Sequence, residues 1–381
     1  MYSKDSLNDL YKLIASNIDI SEEMFDAAEE EYNELGKWID KRTPDYKISI
    51  YPQGSFALGT VIRPISNEDD YDLDLVCQFA ERYGLTAKEL KVDIVKPLLV
   101  EYKKSSREIE EKRRCWHLEY ADVSHFHMDV IPAYALDSSI EITDHDEEEN
   151  TYKYIGSNPA GYISWFFGRC AKQRTRLYEQ YIKDHKLVVA QADIEDVKRR
   201  KVKTPLQRVV QLLKRHRDVM FANDNSGAKP ISIIITTVAA TLYNEEDNII
   251  DALNNILLNS IKWIEDNKKD GEYYIENPSY EGENFADKWN EHPERAKAFY
   301  AWIRQATKDL IDAKLYENNR IDMGRHVSTV FGENTSRGVF SAMAQKDQQD
   351  IKKGSLKVAT ATGALASTGT IKVMANHHHG I

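Results

Sequence analysis

The run Tyr71-Asp72-Leu73-Asp74-Leu75-Val76 constrains this chain more than any other stretch. Two carboxylates two positions apart in an apolar run read as a strand on which Asp72 and Asp74 share one face. Leu73, Leu75 and Cys77 then fall on the opposite, buried face. Paired carboxylates repel unless a cation sits between them. Mg2+ is the expected cation, because it favours a few carboxylates together with substrate phosphates. Upstream lies Gly54-Ser55-Phe56-Ala57-Leu58-Gly59-Thr60, a Gly-Ser turn suited to wrapping phosphate oxygens. Downstream, residues 126–131 read as another strand, with Asp129 on the face opposite Phe126, Met128 and Val130. If the two strands are neighbours, three carboxylates converge. Such a set can hold two metals that clamp the attacking and leaving oxygens of an in-line displacement. The expectation is metal-dependent chemistry on a nucleoside triphosphate.

Composition sets the outer limits. The chain has 381 residues, 41% hydrophobic and 30% charged, the profile of an ordinary soluble globule of more than one lobe. A formal net charge of −11 argues against a broad nucleic-acid-coating surface, although local basic runs exist at 112–114 and 198–203. Three cysteines, Cys77, Cys115 and Cys170, fit a reducing compartment and no disulfide framework. No apolar run has the length of a membrane span or the look of a signal peptide, so a cytoplasmic location is expected.

Periodicity orders the chain. Residues 4–41 carry an acidic helical pattern, with Leu7, Leu10, Tyr11, Ile14 and Ile18 on one stripe. Short strands are expected at 47–51, 73–79, 115–120 and 126–131. A helix is expected over 86–112, divided at Pro97, and an acidic turn or loop over 137–150. From 158 onward the pattern is almost wholly helical: 158–187, 188–200, 205–222, 229–244, 247–266 and 291–316. This predicts three segments: a catalytic core at 1–157, a helical lobe at 158–350 and a flexible tail at 351–381 rich in Lys, Ala, Thr, Ser and Gly. His377-His378-His379 near the end are too few to make a metal site.

Gly54-Ser55, the Asp72-x-Asp74 pair and Asp129 resemble the signature of polymerase β-type nucleotidyltransferases. Gly-Ser-x-x-x-Gly-Thr and residues 129–134 are similar to oligoadenylate synthetases and cyclic GMP-AMP synthase. Three later blocks resemble the bacterial CD-NTases of CBASS anti-phage systems. They are 157–162 with Trp165-Phe166, 206–218 with Pro230-Ile231-Ser232, and 283–289. The resemblance spans roughly 45–310. It departs from the compact pattern in that seventeen positions separate Ser55 from Asp72, with a polar insert at 63–70.

The resemblance implies an α+β fold: a polymerase β-type core with a mixed sheet, a helical C-terminal lobe, and the active site in the cleft between them. The N-terminal helical segment would brace both lobes. Asp72, Asp74 and Asp129 would be catalytic and hold two Mg2+ ions, or Mn2+ in their place. Gly54, Ser55, Lys214 and Ser232 would hold the triphosphate, and Asn158 and Tyr162 would frame base or ribose. By periodicity alone Lys214 is a snorkelling lysine at the edge of an apolar stripe, Trp165 is equally a core residue, and His127 shares the face of Asp129.

The implied activity is synthesis of a cyclic di- or trinucleotide second messenger from nucleoside triphosphates, with pyrophosphate release. Its implied partners are a cyclic-nucleotide-gated effector reached through the product and an E1/E2-like ligase acting on the C-terminus. Gly380 suits such conjugation, but the chain ends in Ile381. Two other readings are a nucleotidyltransferase acting on RNA, protein or a small molecule, and a non-catalytic nucleotide-binding regulator.

Overall fold

A computed structural model describes residues 4–66, 71–102, 109–119, 126–185, 202–311, 320–355, 357–358, 365–366 and 371–373. The first half is built on a seven-stranded mixed sheet. Its strands are β1 Ile48–Pro52, β2 Tyr71–Phe79, β3 Ile109–Glu111, β4 Trp116–Glu119, β5 Phe126–Ala135, β6 Ile140–Asp146 and β7 Thr151–Ser157. They run in the order β1-β2-β5-β4-β3, with β6 pairing both β5 and β7. At the centre β2 and β5 are parallel. The other pairings in this sheet are antiparallel.

The first halves of β2 and β5 bury alternate residues, as the period of two requires. Leu73, Leu75 and Cys77 of β2 and Phe126, Met128 and Val130 of β5 are fully buried in one cluster. Two helices at the N-terminus divide the bracing. In α1, Lys4–Ile18, the residues Tyr11, Ile14, Ala15 and Ile18 pack into the core of the helical half. In α2, Glu22–Arg42, Ala28, Leu35 and Ile39 pack under the sheet. The single helical segment expected over 4–41 breaks at Asp19–Ser21, because the Ser21 hydroxyl caps α2 by accepting from the Met24 amide.

Three other expectations change. The helix of 86–112 is a π-helical stretch, Glu89–Val95, running into a short α-helix at Lys96–Glu101. The change falls where Pro97, which has no amide hydrogen, stands in the first turn. The acidic loop of 137–150 is largely the strand β6, whose Asp144 is buried and accepts from both Arg113 and Arg114. The tail also has structure: a helix continues over Glu333–Lys353, and Lys357–Val358 pairs with Leu365–Ala366 and Ile371–Lys372. Val358 lies opposite both Leu365 and Ile371, an apolar pairing hidden in a polar composition. The helix expected at 188–200 and the terminal residues Gly380 and Ile381 lie outside the described residues.

Beyond β7 the chain is helical, beginning with Pro159–Arg169 and Ala171–His185. The central helix, Pro205–Met220, starts in a capping box between Thr204 and Gln207 and is buried along most of its length. One face of it grips the loop after Leu58. Gln207 donates to the Leu58 carbonyl at 2.8 Å, Gln211 to Val61 at 2.8 Å and Lys214 to Thr60 at 3.1 Å. Arg215 donates to the carbonyls of Arg63 and Pro64. The first part of the expected loose insert is therefore pinned to the helical half.

Gln211→Ala would leave the Val61 carbonyl buried without this donor, a loss of about 1–3 kcal/mol. Urea unfolding should show a lower midpoint at unchanged slope. Gln348→Ala, on an exposed helix face, should stay within roughly 0.5 kcal/mol of the parent. Equal midpoints for the two variants would refute the pinning role.

Candidate active site

Parallel pairing puts Asp74 directly across from Asp129 and Asp72 across from His127. From the other side, β4 places His117 across from Asp129. His117 Nδ1 lies 2.6 Å from Asp129 Oδ1, within reach of an N–H donated to the carboxylate. Asp72 is exposed to the cleft, while Asp74 and Asp129 are half-buried beside it. Burial raises the pKa of Asp72, and the carboxylate of Asp129 adds to the rise. Asp74 is pushed up to about 7 by burial, then by Asp129 and Asp72, against the pull of Lys214. Lys214 itself is brought down to about 8, by burial and by the neighbouring Arg217.

Gly54 opens a short helical turn, Gly54–Leu58, with φ of +57°. That backbone favours glycine. A Cβ here would also drive into Asp74 Oδ2, so the glycine lets the turn lie against the carboxylate. The Gln53 amide donates to the Asp74 carbonyl at 2.8 Å and fixes the turn to β2.

These residues border a cleft of about 660 Å³. Gly54, Ser55, Asp72 and Asp74 lie on its sheet side, Lys214 and Ser232 on its helical side, and Val61 to Ser66 along one rim. Asp129 is not in the cleft lining; it lies across from Asp74 on the neighbouring central strand β5. Asn158 and Tyr162 do not line the cleft. Asn158 Oδ1 accepts from the Gly161 amide, capping Pro159–Arg169, and Asn158 Nδ2 donates to the Ser279 carbonyl. Tyr162 is buried, with its hydroxyl 2.8 Å from that of Thr237. Both side chains make their contacts within the helical half. Trp165 lines a separate hollow with Arg169 and Trp263.

Sequence reasoning missed Arg217, Asp218 and Lys229, which line the cleft beside Lys214. Arg217 is buried and donates to both Asp218 and Ser232, and Asp218 also pairs with Lys229 at 2.7 Å. The spacing of Arg217 three residues after Lys214, on one helix face, was the available signal.

The sheet, the helical half and the cleft between them have the architecture of the polymerase β-type fold. Residues 6–169 match the family model of the Second Messenger Oligonucleotide or Dinucleotide Synthetase domain. It is 28% identical over 393 residues to the c-di-GMP synthase of Roseivirga ehrenbergii, covering 99% of this chain and 98% of that protein. It is 24% identical over 364 residues to the cyclic dinucleotide synthase CdnG of Bradyrhizobium diazoefficiens, covering 90% of this chain and 84% of that protein. The fold matches the structure of the Bradyrhizobium diazoefficiens CD-NTase CdnG in complex with GTP, with a TM-score of 0.70, 24% identity and coverage of 90% and 99%. It also matches Vibrio cholerae DncV in complex with the linear intermediate 5' pppA(3',5')pG, at a TM-score of 0.55, 14% identity and coverage of 89% and 93%.

The raised Asp74 carboxyl fixes the sign of a pH effect. Between the ordinary carboxylate range and about 7, folded Asp74 keeps a proton that the unfolded chain has released. The folded state thus binds more protons, and this group's contribution to stability falls as pH rises through that window. In chelator, Asp74→Asn should gain stability relative to the parent from pH 5 to pH 8. Parallel denaturation curves across that range would remove the assignment.

Proposed function

We propose that this chain joins nucleoside triphosphates into a cyclic dinucleotide with release of pyrophosphate, in a Mg2+-dependent reaction that serves anti-phage signalling in the cytoplasm. The observation that carries the chemistry is the register of Asp74 with Asp129, and Asp72 beside them, at a cleft whose far wall supplies Lys214 and Ser232. GTP is the triphosphate to test first, since one relative is named for c-di-GMP and another was solved with GTP. The anti-phage role rests on the resemblance to CBASS enzymes. The product would reach a cyclic-nucleotide-gated effector. Among the described residues no helix is long and apolar enough to cross a membrane.

The donor set suits a divalent cation. Three hard carboxylates stand on adjacent strands, and Asp129 and Asp72 add to the burial that raises Asp74. Among the described residues, no three His, Cys, Asp or Glu side chains are yet closed on one point at metal-ligand distance. Asp72, Asp74 and Asp129 are the residues that would hold Mg2+, or Mn2+ in its place. Bound there, such ions would supply positive charge to the attacking and departing oxygens of an in-line displacement.

The chain's own groups do the rest. Lys214 donates one of its three N–H bonds to the Thr60 carbonyl, leaving others for phosphate oxygens. Ser232 and the Gly54-Ser55 turn contact the same triphosphate from opposite walls. Asp129, held through Oδ1 by His117, can take the proton of the attacking ribose hydroxyl. A second round in the same cleft closes the linear dinucleotide into a ring.

Incubation with each labelled triphosphate and Mg2+, then phosphatase and chromatography, tests the proposal. A phosphatase-resistant product with matching pyrophosphate release is expected, and chelator should abolish it. The double variant Asp72→Ala, Asp74→Ala should retain less than about one per cent of the rate, the loss of several kcal/mol of transition-state stabilisation. Lys214→Ala should lose roughly ten- to a hundred-fold, the worth of one charge-assisted contact. A product that phosphatase degrades would redirect the assignment to a linear or transferred nucleotide.

A further inference from the structure

Ser232 opens the helix Ser232–Leu242 directly after Pro230-Ile231, and its side chain has a partner that the reaction chemistry does not require. The buried guanidinium of Arg217 donates through Nη1 to Ser232 Oγ at 2.9 Å and to the Pro230 carbonyl at 3.0 Å. Its Nε and Nη2 go to Asp218 Oδ1, at 2.9 and 2.7 Å. The same Asp218 oxygen accepts from Lys229 Nζ at 2.7 Å. Burial pushes the Asp218 carboxyl up, but Arg217 and Lys229 outweigh it and hold it below the usual range. It therefore remains an anion that anchors the guanidinium. Arg217 stands one helical turn after Lys214, so the lysine and the Arg217–Ser232 pair border the same wall of the cleft.

A serine hydroxyl has one proton and two lone pairs. A guanidinium has no lone pair to offer, so Ser232 can only accept from Arg217. That bond occupies one lone pair and turns the hydroxyl proton away from the guanidinium. The alternative local partners of a serine at a helix start are backbone groups, and with Arg217 in place the rotor is withdrawn from them.

We propose that Arg217 is a positioning residue for triphosphate binding, fixing Ser232 so that its hydroxyl proton is offered to a phosphate oxygen. This deepens the nucleotidyltransferase reading and rests on Ser232 being a phosphate ligand. Arg217 itself touches no substrate in this account. Its removal should weaken the grip on triphosphate and leave the chemical step nearly intact.

A double-mutant cycle tests this, with KM and kcat for GTP and the Kd of a non-hydrolysable GTP analogue as readouts, and thermal unfolding as the check on folding. Ser232→Ala should raise KM and Kd about tenfold. Arg217→Met should raise both by a similar factor and change kcat by less than about threefold. In the Ser232→Ala background, Arg217→Met should add less than about twofold. If Arg217→Met fails to fold, Arg217→Lys takes its place. One ammonium cannot hold Ser232, Pro230 and Asp218 in the same geometry, so a smaller loss is expected, again confined to the Ser232 background. Equal losses in both backgrounds, or no effect of Arg217→Met, overturns the positioning role and leaves the wider reading standing. A silent Ser232→Ala overturns the role of Ser232 and this proposal with it.

Discussion

Asp72, Asp74 and Asp129 stand on two parallel strands, and the carboxylate of Asp129 adds to burial in making both Asp72 and Asp74 harder to ionise. Gathering like charge at half-buried positions costs free energy. The cost is tolerated because Lys214, buried in the opposite wall, faces the group from a helix that cannot drift. The opposing shifts of Asp74 and Lys214 are two views of one arrangement: charges drawn out of water, each lowering the penalty on the other. The glycine at position 54, the parallel register and the grip of the central helix on residues 58–64 all hold this pair of walls in place.

The hold is made by polar side chains at the boundary and by apolar packing behind it. Gln207, Gln211, Lys214 and Arg215 recur at helical spacing and each finds a backbone carbonyl on the loop that leaves the Gly-Ser turn. A loop that must carry bare carbonyls into a buried setting needs such donors. Behind it, α1 and α2 give each half its own apolar partner and bridge them by one short break. The cleft is thus formed where the two halves meet, joined by these hydrogen bonds and by Leu58 and Ile62, which pack into the core of the helical half.

The strands carrying the carboxylates were legible because alternation is strict there: Leu73, Leu75, Met128 and Val130 are apolar on one face and the Asp residues polar on the other. Lys214 and Ser232 were legible through the family pattern, since periodicity alone made the lysine a surface residue. Asn158 and Tyr162 fall outside the lining of the cleft, the first in a helix cap and the second in the helical core. A capping asparagine and a buried tyrosine look, as letters, like base-contacting residues. The strand β6 was hidden because its Asp144 reads as solvent-facing until Arg113 and Arg114, some thirty residues earlier, are known to cover it. Arg217 was passed over for a similar reason: its partner lies across a turn, on another helix.

The parallel contact of β2 with β5 has a bearing on how such a chain can change length. Side chains on a strand alternate with a period of two, so a slip of one residue exchanges the two faces completely. Inserting a single residue within β5 before Asp129 would turn that carboxylate toward the space now filled by Met128 and Val130, and offer a hydrophobic group to the cleft. The strand therefore admits replacement of letters but not a change in their number.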